Sequence, residues 1–203
     1  MVRKYRSAKR RAPRGTRTIA KKALKIARSA KGLQEVKLLE TSLLNLSVST
    51  SISQVILNSV VQGDGISNRS GQKITCRSIE GNVFFYSNAA SVARFWLIWD
   101  KQNTFSPATN FLIAGGALQP ISLLARSDRH RYVVVHDSGP IMLNSATSQE
   151  KNFKISKKLN KKTAFVNDTN SMVSGILRLV YVSDDAAAGT TTMSHSLRLN
   201  FYE

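Results

Sequence analysis

The sequence predicts an all-β sandwich that follows a separate cationic N-terminal segment, and three observations carry that prediction. Apolar residues alternate with polar ones in short runs such as 44–48 and 196–202, and a period of two is typical of a half-buried strand. Eight such segments occur without a convincing helix between them. Their uneven connections argue against repeats or propeller blades. Eight strands in two antiparallel sheets make a jelly-roll sandwich, which is the predicted fold class.

The eight predicted strands lie between residues 44 and 202. They span residues 44–48, 73–86, 92–99, 132–136, 152–158, 163–166, 176–182 and 196–202. The Ser-, Asn- and Gly-rich stretch 62–71 predicts a connection, as does a Lys-rich loop before residue 163. Residues 101–129 mix prolines and glycines with apolar residues, which predicts a long excursion that contains a short helix.

Positive charge is concentrated at the N-terminus. The chain of 203 residues has a formal net charge of +18, and the segment 3–31 contributes +13 because it has thirteen bases and no acid before Glu35. The remaining residues hold 17 bases and 12 acids, a net charge of only +5. The thirteen bases are Arg3, Lys4, Arg6, Lys9, Arg10, Arg11, Arg14, Arg17, Lys21, Lys22, Lys25, Arg28 and Lys31. Charge blocks of this kind are typical of interaction tails.

This basic arm, residues 1–34, divides into two parts, and residues 35–203 form the predicted jelly-roll domain. Residues 1–17 contain Pro13, Gly15 and few apolar side chains, which predicts a disordered tail. Residues 18–31 place Ile19, Ala and Leu at helical spacing behind a Thr18 N-cap, which predicts a short basic amphipathic helix that forms on a polyanion.

Such an arm could have several roles. A solvated helical linker remains an alternative. A membrane-surface helix also does, although the apolar face lacks Trp and Phe, and so does an organelle transit peptide, although the arm is poor in Ser. Nucleic acid fits better, because Lys and Arg on a flexible arm neutralise phosphates without reading a sequence. The same clusters could act as a nuclear localisation signal.

A second basic patch lies in the body. It consists of Lys151, Lys154, Lys157, Lys158, Lys161 and Lys162. Such a patch either touches nucleic acid or merely keeps a loop soluble, and the sequence leaves both readings open.

The sequence predicts no enzyme and no cofactor. His130, His136 and His195 are far apart in the chain and form no metal-binding motif. Cys76, the single cysteine, is predicted to be a packed side chain. A single cysteine cannot form an intramolecular disulfide, which favours a reducing compartment. Asp184 and Asp185 could hold calcium, but a solvated turn is the simpler reading. No apolar run is long enough to span a membrane.

Three stretches of the body resemble capsid proteins of small icosahedral viruses. The stretch QGDGISNRSGQKITCRSIEGNVFFY is similar to a glycine turn and Arg-x-Gly element before a long strand. ARFWLIWDKQ resembles a strand that starts with Arg and ends in Asp, and GILRLVYVSD and LRLNFYE resemble the last two strands. The matching positions are Gly63, Gly65, Arg69, Gly71, Ile74, Ile79, Arg94, Leu97, Ile98, Asp100, Lys101 and Gln102.

The order and spacing of these motifs most closely resemble those of capsid proteins from circular single-stranded DNA viruses that encode a replication initiator. Within this group, the resemblance is to circovirus-like members and to members whose capsids are similar to satellite necrosis viruses. The resemblance implies self-assembly into a small icosahedral shell, with the arm inside binding the genome. It also implies nuclear import by host machinery, and therefore a virion and host-nucleus location. An RNA satellite-type coat protein, assembling in the cytoplasm, and a nonviral basic nucleic-acid-binding protein remain the alternatives. For Arg69, Arg94 and Asp100 the resemblance leaves a role in folding or in subunit contacts open.

Overall fold

The computed structural model describes residues 19, 21–23, 35–105, 120, 130–143, 149–166, 169–186 and 190–203. The chain divides into two units, Met1–Glu35 and Val36–Glu203. In the first unit, the described residues 19 and 21–23 are helical and exposed, and the rest of the predicted helix 18–31 lies outside the described residues. Most of the predicted excursion 101–129 also lies outside them.

The second unit is built from ten described strands in two five-stranded sheets. The strands are β1 (Lys37–Val48), β2 (Ser53–Ile56), β3 (Lys73–Ser87), β4 (Ser91–Asp100), β5 (Tyr132–Asp137), β6 (Ile141–Leu143), β7 (Gln149–Phe165), β8 (Met172–Ser174), β9 (Ile176–Ser183) and β10 (Thr191–Tyr202). Sheet A has the order β1-β10-β3-β7-β8. Sheet B has the order β2-β9-β4-β5, and β6 pairs with β4.

The strand pairing is that of a jelly roll. When the three-residue strands β6 and β8 are set aside, the first strand pairs with the last and the second with the last but one. The third pairs with the third from the end, and the two innermost strands pair with each other. All these pairs are antiparallel, so the chain is one long hairpin rolled into two sheets. The predicted all-β jelly-roll sandwich is therefore confirmed.

The number eight is right for the main strands, but their identity is partly wrong. The sequence pattern missed β2, whose four residues are too short to show a period. It also divided β7, because residues 159–162 (LNKK) contain only one apolar residue and were predicted to be a loop between strands 152–158 and 163–166. The structure instead has one strand of 17 residues there, paired with β3 over almost its whole length. Backbone hydrogen bonds to β3 hold this stretch, so its exposed side chains need not be apolar.

The core lies between the two sheets. Its centre contains the rings of Phe85 and Phe95, whose centroids are 5.9 Å apart, and Phe153 packs edge-on to Phe95 at 5.5 Å. Both Phe85 and Phe95 are fully buried, and each such side chain stabilises the fold by about 1.5–3 kcal/mol. Asn58 crosses this interior: its Nδ2 donates to Thr163 Oγ1 and the Gly175 carbonyl, and its Oδ1 accepts from the Leu177 amide.

Sheet B has a second apolar layer on the face that is turned away from this core. It consists of Trp96, Ile98, Tyr132, Val180 and Val182, all buried, with Ile52, Phe105 and Val134 packed against them. Strand β9 is accordingly buried at every position. A strand that is buried on both faces reads as a continuous apolar run, which explains the composition of ARFWLIW and ILRLVYV.

One glycine is required where sheet A meets sheet B. Gly175 has a φ of +71°, and a Cβ there would lie 2.1 Å from the carbonyl oxygen of Lys162. Only glycine combines this backbone conformation with that close approach.

Candidate nucleic-acid interface

Of the thirteen arm bases, the structure describes Lys21 and Lys22, both exposed on a helical segment. The other eleven lie outside the described residues, so the predicted role of the arm stays a prediction. Among the described residues, no helix is long and apolar enough to cross a membrane.

All six lysines of the second basic patch lie on strand β7, including Lys161 and Lys162, which were predicted to lie in a loop. Its six lysines alternate between the two faces of sheet A. Lys154, Lys158 and Lys162 pair with Asn82, Ser78 and Thr75, on the face turned away from the core. Lys151, Lys157 and Lys161 pair with the core-side residues Phe85, Ile79 and Cys76. We call the first of these surfaces the outer face of sheet A.

Strand β7 holds the whole excess charge of the body. It has six lysines and one acid, Glu150, for a net charge of +5. This equals the net charge of residues 32–203, so the rest of the body has as many acids as bases. None of the six lysine side chains has a hydrogen bond or ion pair with any described residue, whereas Lys37, Arg94, Arg178 and Arg198 each pair with a carboxylate. No carboxylate of the described residues therefore neutralises the charge of this patch.

The charge of Lys157 on sheet A affects the pKa of His136 on sheet B. Burial lowers the pKa of His136 on β5, and the positive charge of Lys157 lowers it further, while Asp137 opposes both. The imidazole of His136 packs against Phe95, with ring centroids 5.4 Å apart. Lys157 therefore lies on the core side of sheet A, near enough to His136 for its charge to be felt there.

The three motif positions all have structural roles in the fold. Arg69 is fully buried and has no carboxylate partner among the described residues: Nε donates to the Val60 carbonyl, Nη1 to the Gly71 carbonyl and Nη2 to the Thr169 carbonyl. Its guanidinium lies 4.1 Å from the centre of the Phe165 ring. Arg69 thus joins the loop before β3 to the loop after β7.

Arg94 and Asp100 hold the two ends of β4. Arg94 makes two hydrogen bonds to Asp137, of 2.9 and 2.7 Å, and donates to the Pro120 carbonyl at 3.1 Å. Asp100 accepts from the amides of Gln102 and Phe105 and forms a buried ion pair with Arg178 at 3.2 Å. Asp100 thus holds the residues that directly follow β4, and Arg94 joins β4 to β5 and to Pro120.

The remaining titratable candidates do not form a reactive site among the described residues. Burial raises the pKa of the Cys76 thiol to about 11, even though hydrogen bonds with Thr163 and Asn58 act to lower it. Asp184 accepts from the Val92 amide at 2.7 Å, and Asp185 is half-buried. No group of three His, Cys, Asp or Glu side chains in the described part of the chain could hold a metal ion. His195 lies on strand β10 and is buried, and its two ring nitrogens have no hydrogen-bond partner among the described residues.

Comparison with known proteins places the chain near virus structures at low identity. No family model matches it, and no curated protein matches it either. Among solved structures, Desmodium yellow mottle tymovirus is 12% identical over 84% of this chain and 88% of that chain, with a TM-score of 0.38. The T13 particle of infectious bursal disease virus is 9% identical over 82% of this chain, with a TM-score of 0.37. This chain spans about a third of the length of the bursal disease virus chains, 31% in that case.

Proposed function

We propose that the protein is the capsid protein of a small icosahedral virus, and that many copies close into one shell around a single-stranded DNA genome. The observation that supports this most directly is the distribution of charge. A body that is neutral outside one strand is joined to an arm with thirteen bases and no acid. Subunits of this kind can pack against one another without general repulsion while their arms neutralise a shared polyanion.

The fold supports the same proposal. The jelly roll is a common architecture of viral capsid domains, and the chain resembles such proteins at the Arg69, Arg94 and Asp100 positions. Each of these residues stabilises a connection at an end of the sandwich. The role is structural, and we propose no catalytic reaction for the chain.

The choice of DNA as cargo rests on the resemblance to circovirus-like capsids. With DNA as cargo, the basic clusters of the arm would also direct the protein through the host import machinery to the nucleus. The RNA alternative predicts the same shell with assembly in the cytoplasm, because phosphate neutralisation by Lys and Arg does not distinguish the two polymers.

Electron microscopy of the purified full-length protein tests the proposal. We expect closed particles of uniform diameter, with or without added single-stranded DNA, and packaged nucleic acid that DNase degrades after the particles are opened. Degradation by RNase alone would support the RNA alternative. Only monomers, dimers or irregular aggregates at every salt concentration would contradict a capsid role and favour a nonviral nucleic-acid-binding protein.

Removal of residues 1–31 separates the arm from the shell. Strand β1 begins at Lys37, so we expect the truncated protein to keep the far-UV circular dichroism of an all-β fold. We expect it to lose most of its affinity for a single-stranded oligonucleotide. A matched variant in which every Arg of residues 1–31 is replaced by Lys keeps the charge and should keep the binding.

A further inference from the structure

A depression on the outer face of sheet A combines bases with uncharged polar side chains. It has a volume of about 670 Å³. Its lining residues are Val36, Arg77, Ser78, Lys158, Asn160 and Asn200. A neighbouring depression of about 660 Å³ also has bases, but it contains the acids Glu40 and Glu80. The first depression has no acidic lining residue, so no side chain of its lining repels an anion.

An irregularity of the sheet exposes Arg77. On β10, Asn200 and Phe201 are consecutive, yet they pair with Ser78 and Cys76, so Arg77 is an extra residue of β3. On β7, two residues lie opposite Arg77 between Lys158 and Lys161, and one of them, Asn160, has a φ of +49°. Both neighbours of β3 therefore lose register at the same residue. Bulges commonly redirect a side chain next to a functional site.

The polar groups of the depression are available to a ligand. The side chains of Arg77, Lys158 and Asn160 are exposed, and none of them has a hydrogen bond or an ion pair with a described residue. The side-chain amide of Asn200 donates to Ser78 Oγ at 3.0 Å, which orients it within the wall. Two cations and a set of amide donors without acids are suited to bind phosphate oxygens.

Protection of a sheet edge explains only part of this arrangement. No described strand pairs with residues 149–162 of β7 on the side away from β3, because β8 pairs only near the end of β7. Lysines are commonly placed on such edges to prevent pairing with another chain. Arg77, however, lies on β3, between β10 and β7, where no edge needs protection. Protection of the sheet edge therefore does not explain the positive charge of Arg77.

We propose that this depression binds the phosphate backbone of single-stranded nucleic acid, with Arg77 and Lys158 as the phosphate-binding side chains. The inference rests on the proposed function, since it takes the packaged genome as the ligand. Asn160 and Asn200 donate to phosphate or sugar oxygens beside the two cations. Val36, where the body begins after the arm, is part of the same depression. The body thus adds a fixed phosphate site to the binding that is proposed for the arm.

The test compares two double variants of the full-length chain that remove equal charge. Arg77→Gln/Lys158→Gln removes both cations of the depression. Lys151→Gln/Lys157→Gln removes two cations from the other face of strand β7. Affinity for a fluorescent 20-nucleotide oligo(dT), and separately for oligo(U), is measured between 0.1 and 0.5 M salt. Far-UV circular dichroism and particle formation are recorded for both variants.

We expect the first variant to lower the slope of log affinity against log salt by roughly 1.4, since each phosphate contact on a single strand contributes about 0.7. The affinity at 0.1 M salt should then fall roughly tenfold or more, for both oligonucleotides. The second variant should change the affinity by less than twofold. Arg77→Lys/Lys158→Arg should restore binding, which shows that the loss comes from charge and not from misfolding.

Two outcomes would overturn the inference. Equal losses in the two double variants would mean that only the total charge of sheet A matters, and an unchanged slope in the first would mean that the depression does not contact phosphate. In either case, intact particles with nucleic acid inside would leave the proposed function standing. A wild-type protein that neither forms particles nor binds the oligonucleotides would contradict the proposed function itself.

Discussion

The outer face of sheet B is apolar and buried, whereas the outer face of sheet A is polar and exposed. On sheet B, Trp96, Ile98 and Val180 are fully buried, and the charged groups nearby are paired, as in the Arg178–Asp100 pair. On sheet A, the outward lysines of β7 and Arg77 have no described partner. The two sheets share one core, so the difference lies in what each outer face contacts. The outer face of sheet B is buried within its own chain, while charged side chains on the outer face of sheet A have no partner among the described residues.

The comparison predicts large losses of stability on sheet B. Trp96→Ala should lower the free energy of unfolding by about 3–5 kcal/mol, because it removes a fully buried ring from the second apolar layer. Urea denaturation followed by fluorescence of the remaining Trp99 measures this change. A loss below about 1 kcal/mol would mean that the layer is only loosely packed.

A somewhat smaller loss is expected at the buried ion pair. Asp100→Ala should cost about 3 kcal/mol, because it leaves the Arg178 guanidinium buried without its carboxylate while Gln54 and Asn103 still accept from it. Asp100→Ala/Arg178→Met should recover part of that loss in the same denaturation assay. An equal or greater loss in the double variant would show that the pair does not act as a unit.

Acid should weaken the protein through the core side of sheet A. Burial lowers the pKa of His195, whose ring nitrogens have no described partner. The unfolded chain therefore takes up a proton below a pKa of about 6.5, while the folded chain does not until a lower pH. The free energy of unfolding should be unaffected by this group above pH 6.5 and should fall as the pH drops below it.

His195→Leu provides the control for this pH dependence. The substitution should reduce the loss of stability between pH 7.5 and pH 5, with little cost at pH 7.5, because no hydrogen bond of His195 to a described residue is broken. His136, whose pKa is also lowered, still contributes to the remaining slope. Identical pH profiles for the two proteins would contradict the assignment to His195.

The smallest change in stability is expected on the outer face of sheet A. Arg77→Gln/Lys158→Gln should alter the free energy of unfolding by no more than about 0.5 kcal/mol, since both side chains are exposed and have no partner among the described residues. Urea denaturation without nucleic acid measures it. A loss of 2 kcal/mol or more would show that these cations stabilise the fold, and the contrast between the two sheets would then be weaker.

Some of these features follow from local pattern, and others do not. The alternation in LRLNFY predicted β10, and the continuous apolar run around Trp96 predicted β4, because each pattern reports directly which faces are buried. Strand β7 was harder to predict. Its segment KKLNKK is held by hydrogen bonds to β3, and no side-chain pattern records a backbone partner.

The sequence by itself determined that a basic arm precedes a β body, because charge and period-two alternation are properties of neighbouring residues. It also identified Arg69, Arg94 and Asp100 as motif positions, although it did not predict that their side chains bind neighbouring loops and strands. Only the tertiary structure decided that the body's excess charge lies on one strand and that Arg77 joins Lys158 in an acid-free depression. The physical reason is that Arg77 and Lys158 are 81 positions apart. They come together only through the register of β3 and β7, including the bulge that exposes Arg77.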